Sequence, residues 1–413
     1  MRQKEKGREE EKSGNKTKKR KGSERKLGNL EILHLDRVQS SSFENMKKKF
    51  LLKKKEHLQC LTLSWNLEGD KKGDKDNLPL LESLKPHSEL RSLILVGFQG
   101  PSLPVWLTSL KSLVKLSLKD CHGREFKYLS EQDDQLPNLK ILELVNLNHL
   151  EYITEKCNKE AVFYKSLEEM TIKDCPKLKS WWEKETEVPS FAKLSKLHVH
   201  RCPLQTMPHY PSLDEEMVLR SCTLELLRLN TESIPLKNLR IQDCSDLTNL
   251  SGVFKHLSSL QCLTIENCHT DSLEGESKAW ESLKSLRFLT LKGFSKLSSL
   301  SFGEGVTTLE ELTLETCHKL TSISESMIGK LTSLQELTLR SCGGLTSISD
   351  SIGQVTSLRS LEISRCKKLK SLPKTIFKSL QTLRILNCDS LQPMFVKDTG
   401  DYFPLICHIK DPQ

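Results

Sequence analysis

The stretch Leu309-Glu310-Glu311-Leu312-Thr313-Leu314-Glu315-Thr316-Cys317 returns 25 residues later as Leu334-Gln335-Glu336-Leu337-Thr338-Leu339-Arg340-Ser341-Cys342. Both read L-x-x-L-x-L-x-x-C. The central x-L-x-L-x has the period of two that defines a strand, so alternate side chains face opposite ways. The leucines are then the inward set. Each is worth about 1.5–3 kcal/mol once buried.

Working outward, the same pattern starts at Leu113, Leu139, Leu167, Leu194, Leu236, Leu260, Leu286, Leu358 and Leu380. Earlier copies start at Leu30, Leu58 and Leu90. Most spacings fall between 22 and 28 residues, inside the range of leucine-rich repeats. One copy, at 214–222, is degenerate, with Met217 and Leu219 in the strand positions; the Leu224, Leu227, Leu229 triplet follows too soon for a full repeat and reads as an outer connector. A single coil cannot bury its own leucine face, and stacked neighbours complete the core. The expected fold is therefore an α/β solenoid: a leucine-rich-repeat horseshoe of about 14–15 coils. Its parallel β-sheet lines the concave face, and irregular or short helical segments return along the convex side. One such helix is expected near 324–331, and Pro176, Pro203 and Pro393 follow strand corners, where the chain no longer donates to a ladder.

Composition agrees with a leucine-built core. Aromatic residues are only 6% of the 413-residue chain, and charged residues are 28%. The formal net charge of +9 is unevenly placed: residues 1–26 carry +7 of it and the remainder only +2. The basicity belongs to a tail, which argues against nucleic acid as a partner for the body. Ten of the 14 cysteines end a repeat motif, at positions that include Cys121, Cys175, Cys202, Cys244, Cys268, Cys317, Cys342, Cys366 and Cys388. A small buried thiol with a weak donor suits that corner and should satisfy turn carbonyls. The motif cysteines are too widely spaced for a metal knuckle. With no apolar signal segment after Met1 and no span-length apolar run, reduced thiols in the cytoplasm, or in the nucleus, are the expectation.

The repeat register divides the chain into three regions. Residues 1–26 read as a disordered charged tail, in which Lys18-Lys19-Arg20-Lys21 is either a nuclear signal or simply solvated. Residues 27–409 form the solenoid. Residues 402–413, through the apolar Tyr402–Ile409 run, read as a C-terminal cap that closes the last coil. Within the solenoid, 36–57 is read as the outer helix of a long early repeat rather than a basic membrane-touching helix, and 66–78 as an exposed loop.

Catalytic chemistry has no foothold in the pattern. A phosphate loop is missing, because Gly329-Lys330 is followed by Leu331 and lacks the preceding glycine. Dinucleotide, zinc-protease and nucleophile-elbow motifs are absent too. No cofactor is expected. The best metal candidate, His198-x-His200-x-Cys202, places the cysteine at the buried corner and leaves two ordinary polar histidines on the sheet face. Binding should instead lie on the outward strand side chains. Among them Lys173, Lys196, His198, His200 and Arg240 form a basic run. An acidic patch at Glu310, Glu311 and Glu315 follows. Lys292 and Arg340 lie beside that patch, and Phe288 is the one large apolar residue in the row. Threonine holds the middle position in five copies, at 171, 264, 290, 313 and 338, as β propensity favours.

The N-terminal third carries a more specific signal. Lys85-Pro86-His87, then Leu90-x-x-Leu93, then Gly97-Phe98-Gln99-Gly100 and Leu103-Pro104-x-Trp106 resemble a block in plant nucleotide-binding leucine-rich-repeat disease-resistance proteins of the coiled-coil class. Leu58-Gln59-Cys60-Leu61-x-Leu63-x-Trp65 and the closing Tyr402-Phe403-Pro404 with His408-Ile409 are similar to theirs as well. Phe98 stands where a tyrosine is usual, Leu103 where a phenylalanine is common, and Tyr402-Phe403 where a tryptophan is common. The resemblance implies the sensor part of such a receptor, without its nucleotide-binding domain. That part would bind a pathogen effector, a guarded host protein or a receptor's nucleotide-binding domain. Two alternatives remain: a substrate-recognition subunit of a ubiquitin ligase, and the remnant of a truncated receptor gene. An extracellular ectodomain would need a signal peptide and asparagine-ended repeats.

Overall fold

The structure is a computed structural model. It describes residues 28–38, 52–65, 76–130, 136–156, 164–184, 190–205, 208–224, 227, 233–245, 247, 250–268, 277–302 and 306–409. The charged tail, most of 36–57 and most of 66–78 lie outside these residues. The chain divides into two compact units, residues 1–194 and 195–413.

The first unit contains β1 (Gly28–Ile32), β2 (Leu58–Ser64), β3 (Ser92–Val96), β4 (Lys115–Lys119), β5 (Tyr128–Ser130), β6 (Ile141–Val145), β7 (Tyr152–Lys156), β8 (Glu169–Lys173) and β9 (Ser180–Lys184). β1, β2, β3, β4, β6 and β8 pair in that order, all parallel, so each coil donates one strand to the next. The second unit contains β10 (Lys196–His200), β11 (Glu216–Arg220), β12 (Asn238–Gln242), β13 (Cys262–Glu266), β14 (Phe288–Lys292), β15 (Glu311–Glu315), β16 (Ser322–Ile323), β17 (Glu336–Arg340), β18 (Ser347–Ile348), β19 (Ser360–Ser364) and β20 (Thr382–Leu386). Here β10 through β15, then β17, β19 and β20, form the parallel ladder. Register is strict: Leu289, Leu312, Leu337, Leu361 and Leu383 line up across five strands and are all buried. Each unit is thus a β-solenoid of the leucine-rich-repeat kind. The degenerate copy is a regular rung, because β11 pairs residue for residue with both neighbours and buries Met217 and Leu219. Its connector turns Leu224 and Leu227 into the core.

The corner after each strand is built from two adjacent residues. The first has a positive φ: Gly97, Asp120, Asn146, Asp174, Arg201, Ser221, Asp243, Asn267, Gly293, Thr316, Ser341, Arg365 and Asn387 all occupy this place. That left-handed residue keeps its amide in the ladder. Asp243 N–H donates to Glu266 O at 2.9 Å, and Thr316 N–H to Arg340 O at 2.8 Å. The reversal also points the next side chain inward, and that residue is the motif cysteine. Cys342 Sγ donates to Leu314 O and Arg340 O at 3.6 and 3.5 Å, and Cys366 Sγ makes the same pair of contacts one coil on. Burial pushes the Cys121 thiol up to about 12, so it stays protonated and a donor. Phe98, Leu147 and Phe294 take the cysteine's place in three coils and are also buried.

The return segments include the expected short helices, and the first unit adds a sheet that was not expected. In the first unit β5, β7 and β9 form a second parallel sheet. Its sequences are rich in aromatic and β-branched residues, which favour a pleated surface. Leu129, Ile153 and Trp181 are buried beneath it, while Tyr128 and Tyr152 stack above at 5.9 Å. In the second unit the returns hold short helices, Leu250–Phe254, Ser277–Trp280 and Glu325–Ile328, and the pair β16–β18. The scarce aromatics gather behind the leucines, as in the edge-to-face series Phe254, Trp280, Phe302. At the C-terminal end Tyr402 packs on Phe377 and Phe395, and its hydroxyl bonds both the amide and the carbonyl of Leu372 at 2.8 Å.

Two stability measurements follow. Thr316 is β-branched in a left-handed conformation, which costs about 1–2 kcal/mol. Thr316→Asn should therefore raise unfolding free energy by about 0.5–1 kcal/mol, and Gly293→Ala should lower it, since a Cβ there would sit 2.2 Å from Asn267 Oδ1. Urea melts of the two variants read both signs. Tyr402→Phe removes a doubly bonded buried hydroxyl and should cost about 1–3 kcal/mol. Truncation after Asp398 should cost more in a thermal melt; an unchanged melt would contradict capping by 402–409.

Candidate partner-binding face

Strand alternation leaves one face of each ladder open, and three residues per strand reach it. In the first unit the face is locally closed by its own ion pairs. Glu143 accepts from Lys115 Nζ and from Ser117 Oγ, and Lys119 lies 3.6 Å away. Burial pushes Glu143 up, but these partners outweigh it and hold the carboxyl below its ordinary value. Ser117, at an outward position of β4, is on this face but fully covered. Lys173, at the end of β8, neighbours Val145 and forms no ion pair among the described residues.

In the second unit the expected basic run is interrupted. Lys196 Nζ lies 3.0 Å from Glu215 Oε2, and His198 Nε2 lies 3.1 Å from Glu216 Oε2. Both glutamates come from the copy that read as degenerate, so their side chains had no assigned direction in the sequence. His200 sits beside Arg220, which pairs with Asp243 at 2.8 Å. The left-handed Arg201 turns Cys202 into the core, off the face that carries His198 and His200. Arg240, between Val218 and Thr264, is exposed and has no ion pair among the described residues.

The acidic patch is also rearranged. Glu310 lies just before β15, and Arg287 holds it through Nε and Nη2 at 2.8 and 2.7 Å. Glu315 pairs with Lys292 at 3.1 Å, and Arg340 with Glu362 at 2.7 Å. What stays uncompensated is Glu311 with Glu336, placed directly opposite each other on β15 and β17. Burial, then the Glu336 and Glu310 carboxylates, push Glu311 above its ordinary value. Phe288 lies next to Glu311 in register and is half-buried under Arg287, whose guanidinium carbon sits 5.2 Å from the ring centre. Beside them runs an unbroken row, Thr264, Thr290, Thr313 and Thr338. The structure therefore brings Phe288, Lys292, Glu311, Glu315 and Arg340 onto three neighbouring strands and keeps Lys196, His198 and His200 on β10 and Arg240 on β12, with β11 between them. Glu336, which strand alternation also turns outward, belongs with the first group. Among the described residues no cluster of three metal-ligating side chains occurs, and no helix is long and apolar enough to cross a membrane.

Residues 23–147 match the family model described as R13L1/DRL21 LRRs. The chain is 30% identical over 243 residues to the putative disease resistance protein RGA1 of Solanum bulbocastanum, covering 58% of this chain and 23% of that protein. Disease resistance protein RGA2 of the same species is 29% identical over 251 residues, 59% of this chain and 23% of RGA2. The putative disease resistance RPP13-like protein 1 of Arabidopsis thaliana is 25% identical over 296 residues, with 52% and 27% covered. The chain thus spans about a quarter of the length of these relatives. Among solved structures, a leucine-rich-repeat protein of Leptospira interrogans aligns with a TM-score of 0.43 and 19% identity, over 86% of this chain and 90% of that one. The leucine-rich-repeat region is homologous to that of plant disease-resistance proteins.

The like-charge pair gives a measurable consequence. Glu336→Gln should lower the Glu311 midpoint toward the ordinary carboxylate value. It should also stabilise the fold by about 0.2–0.5 kcal/mol at neutral pH, the size expected for a half-screened cross-strand repulsion. The gain should fade as pH falls through the raised Glu311 midpoint, because protonation removes the repulsion in both proteins. A carboxylate NMR titration with paired melts at pH 7 and pH 4 tests this; equal gains at both would remove charge as the cause.

Proposed function

We propose that this chain is the sensor part of a plant intracellular immune receptor, working in the cytoplasm or nucleus. It would recognise a pathogen effector or a guarded host protein by surface complementarity, with no catalysis of its own. The observation that supports this reading most is the repeat region shared with plant disease-resistance proteins over 58% of the chain. The open face of the second unit supports it physically. Polar side chains in strict register present an adaptable surface, Phe288 offers an apolar anchor, and Glu311 with Glu336 favours a cationic group opposite them. A receptor's nucleotide-binding domain is the third partner consistent with this chemistry.

The test is a pull-down from leaf extract with the full chain as bait. Two variants serve as controls, each checked for equal circular dichroism: Phe288→Ala with Glu311→Lys and Glu336→Lys, and Lys196→Glu with His198→Glu and Arg240→Glu. The expected result is capture of an effector, a guarded protein or a nucleotide-binding receptor fragment, lost at least tenfold in the first variant. Capture of a ubiquitin-ligase adaptor would replace this reading with the substrate-receptor one. A folded bait that captures nothing specific would favour the remnant of a broken receptor gene.

A further inference from the structure

The first unit's outer sheet stops abruptly. Among the described residues β5 pairs with β7 and with no other strand. Tyr152 N–H donates to Lys127 O at 3.2 Å, with Tyr128 and Tyr152 in register. In a parallel ladder that geometry assigns the bonding groups of Leu129 to β7 and turns those of Tyr128 the other way. The Tyr128 amide and carbonyl have no partner among the described residues. The coil on that side supplies no strand. It runs through Pro101 and Pro104 into the 3₁₀ turn Val105–Ser109, and proline has no amide to give a ladder.

Between this turn and β5 lies a cavity of about 450 Å³. Pro104, Val105 and Leu107 line one wall, Tyr128 and Leu129 the other, and the cavity reaches the core side chain Leu116 of β4. At its mouth Val105 is 80% exposed, the most exposed large apolar side chain described. It is fixed there, since its amide donates to Glu82 Oε1 at 2.6 Å. An unpaired strand edge, a cavity with mixed polar and apolar lining where the next strand would lie, and an apolar residue held in water at the entrance coincide in one place.

We propose that this edge takes an extended peptide segment of a partner protein by strand addition. The segment's backbone would bond the Tyr128 amide and carbonyl. Residues opposite each other in a sheet point to the same face. The side chain opposite Leu129 therefore enters the cavity, and an aliphatic or aromatic group fits the part lined by Leu107, Leu116 and Leu129. The side chain opposite Tyr128 stays outside and extends the Tyr128–Tyr152 stack, beside which Lys127 Nζ lies 5.1 and 5.3 Å from the two ring centres. The ligand is thus an alternating peptide, aromatic outward and apolar inward, with no proline at the bonding positions. This surface is separate from the open face of the ladders and does not depend on the role proposed for that face.

The probe is a fluorescein-labelled, amidated peptide Lys-Thr-Tyr-Leu-Tyr-Thr-Lys, with the central leucine varied to isoleucine, phenylalanine and tryptophan. A control carries proline at the three central positions. Anisotropy with the full chain is expected to show saturable binding of at least one member, about tenfold or more weaker for the control. Hydrogen exchange at residues 126–130 should slow in the complex, and Val105→Asp, an exposed change that leaves the fold intact, should weaken binding about fivefold or more. Absence of binding by every member would overturn the proposal. So would equal binding of the proline control, or binding without slowed exchange at 126–130, either of which would mark the cavity as a side-chain pocket and not a strand-addition site.

Discussion

A coil of some two dozen residues has one apolar face and nothing of its own to cover it. Its strand leucines become a core only when the next coil is laid against them in the same register. Everything else in this molecule is subordinate to that stacking. A slip of one residue would turn every leucine to water and every lysine inward. The ladder of Leu289, Leu312, Leu337, Leu361 and Leu383 shows how strictly the slip is avoided. Stacking also dictates that the chain must leave each strand at the same height and in the same direction, which is a backbone requirement before it is a side-chain one.

The corner meets that requirement through a left-handed residue followed by a buried thiol. The thiol was legible in the sequence because cysteine recurs at a fixed place and is the right size. The left-handed residue was not, because its identity changes from coil to coil. Asp, Asn and Gly, which visit this conformation readily, hold it in eight coils, but Arg201, Ser221, Thr316, Ser341 and Arg365 hold it in others. The stacked ladder imposes the conformation there: Thr316 keeps its amide bonded to the next strand although its branched side chain disfavours the turn. Local propensity is overruled by a bond that exists only once two coils have met.

The same distinction separates what the sequence showed of the binding face from what it hid. Which residues point outward depends on period two alone, and Phe288, Lys292, Glu311, Glu315 and Arg340 are all where alternation puts them. Which charges remain available depends on neighbours about 25 residues away. Lys196 and His198 meet Glu215 and Glu216, and Glu310 is held by Arg287 at the foot of the strand. A count of basic and acidic residues along the chain therefore overstated both patches. Cross-strand pairing removes most of the apparent field and leaves small local features: Arg240, with no ion pair among the described residues, and the repelling couple Glu311 and Glu336.

The return segments answer to a looser rule, and variation is concentrated there. They must only cover the leucines from behind, so the second unit does it with short helices and a two-stranded pair, while the first adds a three-stranded sheet. Tyr128-Leu129-Ser130 and Ser180-Trp181-Trp182-Glu183-Lys184 are too short to read as strands alone; they become strands because the coils above and below hold them at strand spacing. A sheet made this way ends wherever one coil declines to contribute, and Pro101 and Pro104 make the coil before β5 decline. A closed barrel has no such edge, and a lone hairpin edge is too weak to template a partner. An edge built on a stacked solenoid is rigid and already twisted to fit. The repeat architecture thus generates two kinds of surface from one constraint, a polar face fixed by register and a backbone edge fixed by its interruption.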